Sequence, residues 1–164
     1  MEINELKNLW APWRESYILT PKPKHCVFCE KANADSANDR ENLVLERTEN
    51  AMVIMNTYPY NAGHLLIIPY AHVSQPEDLS HEIYHEICDL ILDWKIHLKE
   101  TVKAHGMNIG ANVGGAAGAG IAEHLHYHII PRWPGDTNFI TTIADTRVVS
   151  QSLTDLYDKL KSTD

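Results

Sequence analysis

Apolar residues recur every three or four positions from Pro76 to about Lys103, at Leu79, Ile83, Ile87, Leu90, Ile91, Trp94, Leu98 and Val102. That period predicts an amphipathic helix of roughly seven turns. Ser74 or Ser80 is placed to cap its start, and Gly106 to stop it. His81, His85 and His97 fall mainly among its charged positions, which makes them surface groups, whereas Cys88 sits at an apolar position as an inert core residue. Before the helix the pattern is that of strands: Leu43 to Arg47, Ala51 to Asn56 and His64 to Pro69. Thr48-Glu49-Asn50 suits a hairpin link, and residues 57–63 (TYPYNAG) have the composition of an ordered loop. After the helix come a fourth strand, Met107 to Val113, and a fifth ending at Pro131; Ser150 begins a short helix with Leu153, Leu156, Tyr157 and Leu160 on one face. Strands, one long helix and strands again imply an α+β domain with a mostly antiparallel sheet. The chain divides into an N-terminal arm (1–25), the domain proper (26–149) and a C-terminal helix packed on it (150–164). Trp10 and Trp13 in the arm are costly to leave in water and pack on the domain, on a second subunit or along a ligand pocket.

Composition narrows the function classes. A chain of 164 residues with 44% hydrophobic content builds one domain, and no apolar run approaches the ~20 residues of a membrane span. Met1-Glu2-Ile3-Asn4-Glu5 has neither the basic region nor the apolar core of a signal peptide, so a cytoplasmic protein is expected. A net charge of -8 argues against nucleic acid or an anionic membrane as partner, while leaving room for a small nucleotide in a local pocket. The three cysteines make no disulfide framework. Cys26-Val27-Phe28-Cys29 reads as a redox dithiol or half of a metal site, and ten histidines favour the metal.

The chemistry concentrates in His124-Leu125-His126-Tyr127-His128-Ile129-Ile130-Pro131. On a regular strand the three imidazoles share one face at steps of about 7 Å, with Leu125, Tyr127 and Ile129 on the other. Just upstream, residues 114–120 (GGAAGAG) carry almost no side chains, so backbone N–H groups there can approach an anion closely. A plain half-buried sheet face would leave several imidazole nitrogens in need of partners. One metal on all three is opposed by geometry, since zinc–nitrogen bonds are about 2 Å long and His124 and His128 stand ~13 Å apart on a straight strand. Divided roles fit better. His124 joins Cys26 and Cys29 in a closed four-ligand structural zinc site whose last member is His64 or His72. His126 then attacks an α-phosphorus as a neutral imidazole and forms a covalent nucleotidyl-histidine. His128 donates hydrogen bonds to phosphate or helps the leaving group, and amides of the glycine loop stabilise phosphoryl oxygens. No Walker motif is present.

Those residues resemble the histidine-triad (HIT) family, in which histidines alternate with hydrophobic residues. The resemblance extends through Asn61-Ala62-Gly63-His64-Leu65-Leu66-Ile67-Ile68-Pro69, Gly118-Ala119-Gly120 and Pro131-Arg132-Trp133. Trp10-Ala11-Pro12-Trp13-Arg14 and Gly135-Asp136-Thr137-Asn138-Phe139 look like the bacterial diadenosine-tetraphosphate phosphorylase or hydrolase branch, near the fragile-histidine-triad group. The resemblance implies a five-stranded antiparallel sheet in each subunit of a homodimer, the two sheets joining into one. It also implies cleavage of dinucleoside polyphosphates at an α-phosphate, with His126 as nucleophile, His128 in support and His64 near the active site as a catalytic or sheet-supporting group. The related galactose-1-phosphate uridylyltransferases imply zinc ligands at Cys26, Cys29, His72 and His124. Asn56 corresponds to a ribose contact and Asn112 to a phosphate contact, with Gly118, Ala119 and Gly120 beside the nucleotide. One departure stands out: the eukaryotic hydrolase branch has polar phosphate-binding side chains where this chain has Gly120 and Ile121. Phosphate contacts then fall more to backbone amides, and either water or phosphate can be the acceptor. A nucleoside phosphoramidase, a nucleotide-binding regulatory module with little turnover and a metal-dependent hydrolase are the other readings.

Overall fold

Aliphatic runs between turn-forming links pair into a five-stranded, wholly antiparallel sheet in the order β1-β2-β3-β5-β4. The computed structural model describes residues 25–136 and 151–162. The Trp10/Trp13 arm, Thr137-Asn138-Phe139 and Ser150 lie outside the described residues. The strands are β1 (Val44–Arg47), β2 (Ala51–Met55), β3 (Leu65–Pro69), β4 (Gly106–Ala111) and β5 (Tyr127–Arg132). Among the described residues four α-helices accompany them: α1 (Val27–Asn33), α2 (Asp39–Asn42), α3 (His81–Thr101) and α4 (Leu153–Lys161). None of the described helices is long and apolar enough to cross a membrane.

Strands β2 and β3 are buried on both faces, which is why they read as continuous apolar runs. Val53, Met55, Leu65 and Ile67 meet α3 and α4, where Ile87, Leu90, Trp94, Leu98, Leu156 and Leu160 complete the main core. Met52, Ile54, Leu66 and Ile68 point the other way, into a smaller cluster closed by Phe28 of α1. His128 pairs with Leu66 across the β3–β5 ladder and so belongs to this second face. The sheet therefore separates a packing side from a chemical side.

Three local expectations need correction. The long helix does not begin at Pro76: Pro76–Asp78 is a 3-10 turn, and Ser80 caps α3 by accepting the Ile83 N–H at 3.3 Å. Gly106 is not its stop, because α3 ends at Thr101, Lys103 takes a left-handed conformation at φ 54°, and Gly106 already opens β4. His97 is not a surface group. Its half-buried ring meets the Leu160 carbonyl at 2.9 Å and packs edge-on against Trp94. It thereby ties α3 to α4, a partnership across 63 residues that no local pattern displays.

Helix α4 closes the core from the β1 side. Tyr157 donates its hydroxyl to the Val44 carbonyl at 2.9 Å, and Lys161 donates to the Leu45 carbonyl at 2.6 Å. The Arg40–Asp158 pair at 2.7 Å is exposed and contributes little.

Gly63 sets how closely the loop after β2 approaches β5. Its φ is 75°, and a Cβ there would stand 3.0 Å from Cγ of Pro131. Gly63→Ala is expected to lower stability by about 1–3 kcal/mol through the strained backbone and the contact together. Urea unfolding monitored by tryptophan fluorescence measures it.

Candidate active site and metal centre

The three alternating histidines do not all lie on a straight strand. β5 begins at Tyr127, so His128 is in the ladder, His126 just precedes it and His124 lies in the turn before. The Leu125 N–H donates to the Val73 carbonyl at 2.7 Å, and this bond holds the bend. The bend turns the His124 side chain away from the other two.

His124 meets Cys26, Cys29 and His72, and one donor atom from each of the four lies within 4.8 Å of the others. Nδ1 of His124 is 3.3 Å from Sγ of Cys26, 3.5 Å from Sγ of Cys29 and 3.1 Å from Nδ1 of His72. Cys29 Sγ is 3.3 Å from His72 Nδ1. The Pro69 carbonyl, 2.9 Å from His124 Nε2, can only accept, so it holds the ring proton there and leaves the Nδ1 lone pair facing the cluster. Four electron-rich atoms converging in this way are the arrangement of a cation site. The cysteine pair is less a free knuckle than a helix start: Cys26 is the N-cap of α1.

Fixed hydrogen-bond partners set the tautomers of the other rings in the same way. Nδ1 of His126 is 2.8 Å from the His124 backbone carbonyl, so Nδ1 carries the proton and Nε2 carries the lone pair. His64 Nδ1 receives the Tyr60 backbone N–H at 3.1 Å, which places its own proton on Nε2. That Nε2–H donates to Nδ1 of His128 at 2.8 Å. His128 consequently carries its proton on Nε2, a buried atom with no hydrogen-bond partner.

Burial keeps these rings neutral. It is the largest cause pushing His64 down to about 3, helped by His128 and then His126, and pushing His128 down to about 4, helped by His126. His126 is also lowered by burial, against the opposing effect of its bond to the His124 carbonyl. The arrangement offers a nucleophilic lone pair beside a dry N–H donor, as attack on phosphorus and support of its oxygens require.

The remaining sequence candidates lie in loops, several with partners of their own. Asn56 accepts the Tyr58 N–H at 2.9 Å and approaches His64 Nδ1 at 3.3 Å, so it braces the loop that carries His64. In the glycine loop the N–H groups of Gly118 and Ala119 close a turn on Gly115 and Gly114 at 3.0 and 3.4 Å. Gly120 follows this turn, and Asn112 is half-buried just beyond β4. Two contributors went unnoticed in the sequence. Phe28 packs on both His124 and His126, and Tyr60 lies tilted against His64 and stacks over His128. The position of Phe28 between the two cysteines was its available signal; Tyr60 had none beyond its proline-flanked loop.

The chain is similar to known proteins. The HIT domain family matches residues 37–135. A Mycobacterium tuberculosis protein named AP-4-A phosphorylase is 37% identical over 158 residues, covering 93% of this chain and 81% of that protein. Among solved structures, a Zn-bound histidine triad family protein from Mycobacterium smegmatis superposes with a TM-score of 0.66 at 26% identity, over 83% of this chain and 90% of its own. A hypothetical histidine triad nucleotide-binding protein from Sulfolobus tokodaii gives 0.66 at 28% identity, over 83% and 89%.

The neutral histidine pair carries a sign for stability. Unfolded histidines titrate near 6.5, above the folded values of about 3 for His64 and about 4 for His128. Their contribution is complete above pH 6.5 and is lost as pH falls toward the folded values, because the unfolded chain takes up protons that the folded one refuses. His64→Gln is expected to remove about 1 kcal/mol per pH unit of that slope between about pH 6 and pH 4.5. Denaturation midpoints of the two proteins across this range measure the difference.

Proposed function

The chain belongs to the HIT domain family, and from that premise we propose that it is an enzyme cleaving dinucleoside polyphosphates of the diadenosine-tetraphosphate kind, with His126 as nucleophile and phosphate as acceptor. The observation that carries the proposal is the pairing, in two rings whose centroids lie 5.0 Å apart, of a lone pair on Nε2 of His126 with a buried N–H on Nε2 of His128. In the first step the His126 Nε2 lone pair forms a P–N bond to the α-phosphorus, and the bond to the bridging oxygen breaks. ATP leaves from diadenosine tetraphosphate. His126 keeps its Nδ1 proton, so the ring becomes cationic, and the His124 carbonyl at 2.8 Å stabilises that charge. The His128 N–H donates to phosphate oxygens and eases departure of the leaving group, while His64 holds His128 in the donating tautomer. In the second step an acceptor oxygen attacks phosphorus, the P–N bond breaks, and His126 returns neutral. Phosphate as acceptor yields ADP; water, which gives up one proton to solvent as it attacks, yields AMP. The printed name of the mycobacterial relative supports phosphate. Asn112 and the Gly118-Ala119-Gly120 turn are the further nucleotide contacts in this reading, with Asn56 acting through the loop it braces.

Zinc is the metal we assign to Cys26, Cys29, His72 and His124. Tetrahedral zinc with bonds of about 2.0–2.1 Å to nitrogen and about 2.3 Å to sulfur needs edges of about 3.3 Å between nitrogens and about 3.5 Å between sulfur and nitrogen. The nitrogen pair at 3.1 Å and the sulfur–nitrogen pairs at 3.3 to 3.5 Å support that geometry. Two thiolates and two imidazoles fill such a site, so zinc would supply a structural tie rather than chemistry. We also assign a homodimer in which β4 extends the sheet into a second copy. Supporting this, β4 stands at the sheet edge with Ile109 exposed at 43%, and Val113, two residues past its end, is exposed at 37%.

Four outcomes test these assignments. His126→Ala should reduce turnover of diadenosine tetraphosphate by at least about 10³-fold with fold and metal content intact. Chromatography of wild-type products should give ADP plus ATP with phosphate present; AMP under both conditions would make the enzyme a hydrolase. Protein purified without chelator should hold about one zinc per chain by elemental analysis, and Cys26→Ala should lose it along with thermal stability. Finally, wild-type protein should scatter light at twice the chain mass, and Ile109→Asp should halve it.

A further inference from the structure

We propose that Phe28 is a positioning residue for the nucleophile, a wall that fixes the direction of His126 Nε2 and passes to it the order of the metal-binding turn. The inference rests on the reading of His126 as nucleophile. The His126 hydrogen bond to the His124 carbonyl, at 2.8 Å, pins only one ring nitrogen. An imidazole can pivot about such a bond and keep it while the opposite nitrogen swings. Fixing Nε2 therefore requires groups against the sides of the ring. His128 supplies one, at a centroid distance of 5.0 Å, and is itself held by His64. Phe28 supplies another, 5.1 Å away and inclined at 59°. The same phenyl ring stands edge-on to His124 at 5.5 Å, so a single side chain touches both a metal-facing and a phosphorus-facing imidazole.

The wall is anchored at both ends of its short helix. Phe28 is 5% exposed and lies between Cys26 and Cys29, whose sulfurs face the metal-ligand cluster. At the other end Arg47 donates to the carbonyls of Lys31 and Ala32 at 2.9 and 3.1 Å, while its guanidinium pairs with Asp39 at 2.8 Å. A metal at the cysteines would complete the clamp, and with the clamp open the phenyl ring gains freedom that the nucleophile then shares. Misplacement of a reacting atom by about 1 Å is worth as much as 10²-fold in rate. Phe28 also belongs to the apolar cluster with Val44, Met52, Ile54, Leu66 and Ile68. The test must separate positioning from packing.

Phe28→Leu and Phe28→Tyr are compared with Val44→Ala, which loosens the same cluster away from the histidines. Three quantities are read: zinc per chain, the rate of the first turnover with saturating diadenosine tetraphosphate, and the nitrogen-15 NMR signal of the His126 Nδ1–H, identified by its loss in His126→Gln. Phe28→Leu should keep its zinc, slow the first turnover at least about 10-fold and broaden the Nδ1–H signal through faster exchange with water. Phe28→Tyr, which keeps the ring, should restore both rate and signal. Val44→Ala should melt at lower temperature with both unchanged. A Phe28→Leu protein with wild-type rate and signal overturns the proposal. So does one whose loss appears only in KM, or one that fails simply in proportion to lost zinc. If Phe28→Leu does not fold, Phe28→Met replaces it with the same readouts. If wild-type protein does not cleave the substrate, the proposed function fails, and the Nδ1–H signal alone decides the role of Phe28.

Discussion

A neutral imidazole has one proton and two nitrogens, and the chemical face of this protein depends on where that proton sits in each ring. A fixed backbone group decides it each time. The Pro69 carbonyl takes the Nε2–H of His124, the His124 carbonyl takes the Nδ1–H of His126, and the Tyr60 amide, acting through His64, determines His128. Backbone groups cannot exchange donor for acceptor, so the tautomers are written into the chain path. Desolvation strengthens the arrangement by holding the rings uncharged. An acidic protein can in this way address a phosphoryl group without a cationic surface, using aimed N–H groups in a dry site in place of net charge.

The architecture was legible in the sequence wherever burial imposes a period. The 3.6-residue stripe of α3, the doubly buried runs of β2 and β3 and the apolar face of α4 follow from packing on one sheet. The grouping of Cys26, Cys29, His72 and His124 was legible for a different reason: cysteine and histidine are few and chemically specific, and the motif resemblance chose His72 over His64. The boundaries were less so. Ser80 and Pro76 both signal a helix start, and only the extended backbone at Leu79 separates the 3-10 turn from α3. Partnerships between distant elements were illegible, as with His97 and Leu160 or Trp94 and Glu46. Each requires knowing which side chains the fold brings together. Treating the triad as a regular strand concealed the bend at Leu125, because a period of two cannot reveal where a strand begins.

That bend resolves how one short run serves two purposes. A straight strand would aim all three imidazoles the same way and set them in competition for one ligand. With Leu125 buried and its N–H bound to Val73, the side chain of His124 swings toward the cysteines while its carbonyl remains against His126. One residue thus turns a ring nitrogen toward the cysteines through its side chain and accepts the His126 Nδ1–H through its backbone. Any displacement of its ring must be absorbed by the peptide that carries the carbonyl. Phe28, in contact with both rings, removes much of the space in which it could be absorbed independently. A metal held by this cluster would therefore do more than fasten α1: with only two bonds of backbone between the His124 side chain and its carbonyl oxygen, order at the cluster and order at His126 cannot be set separately.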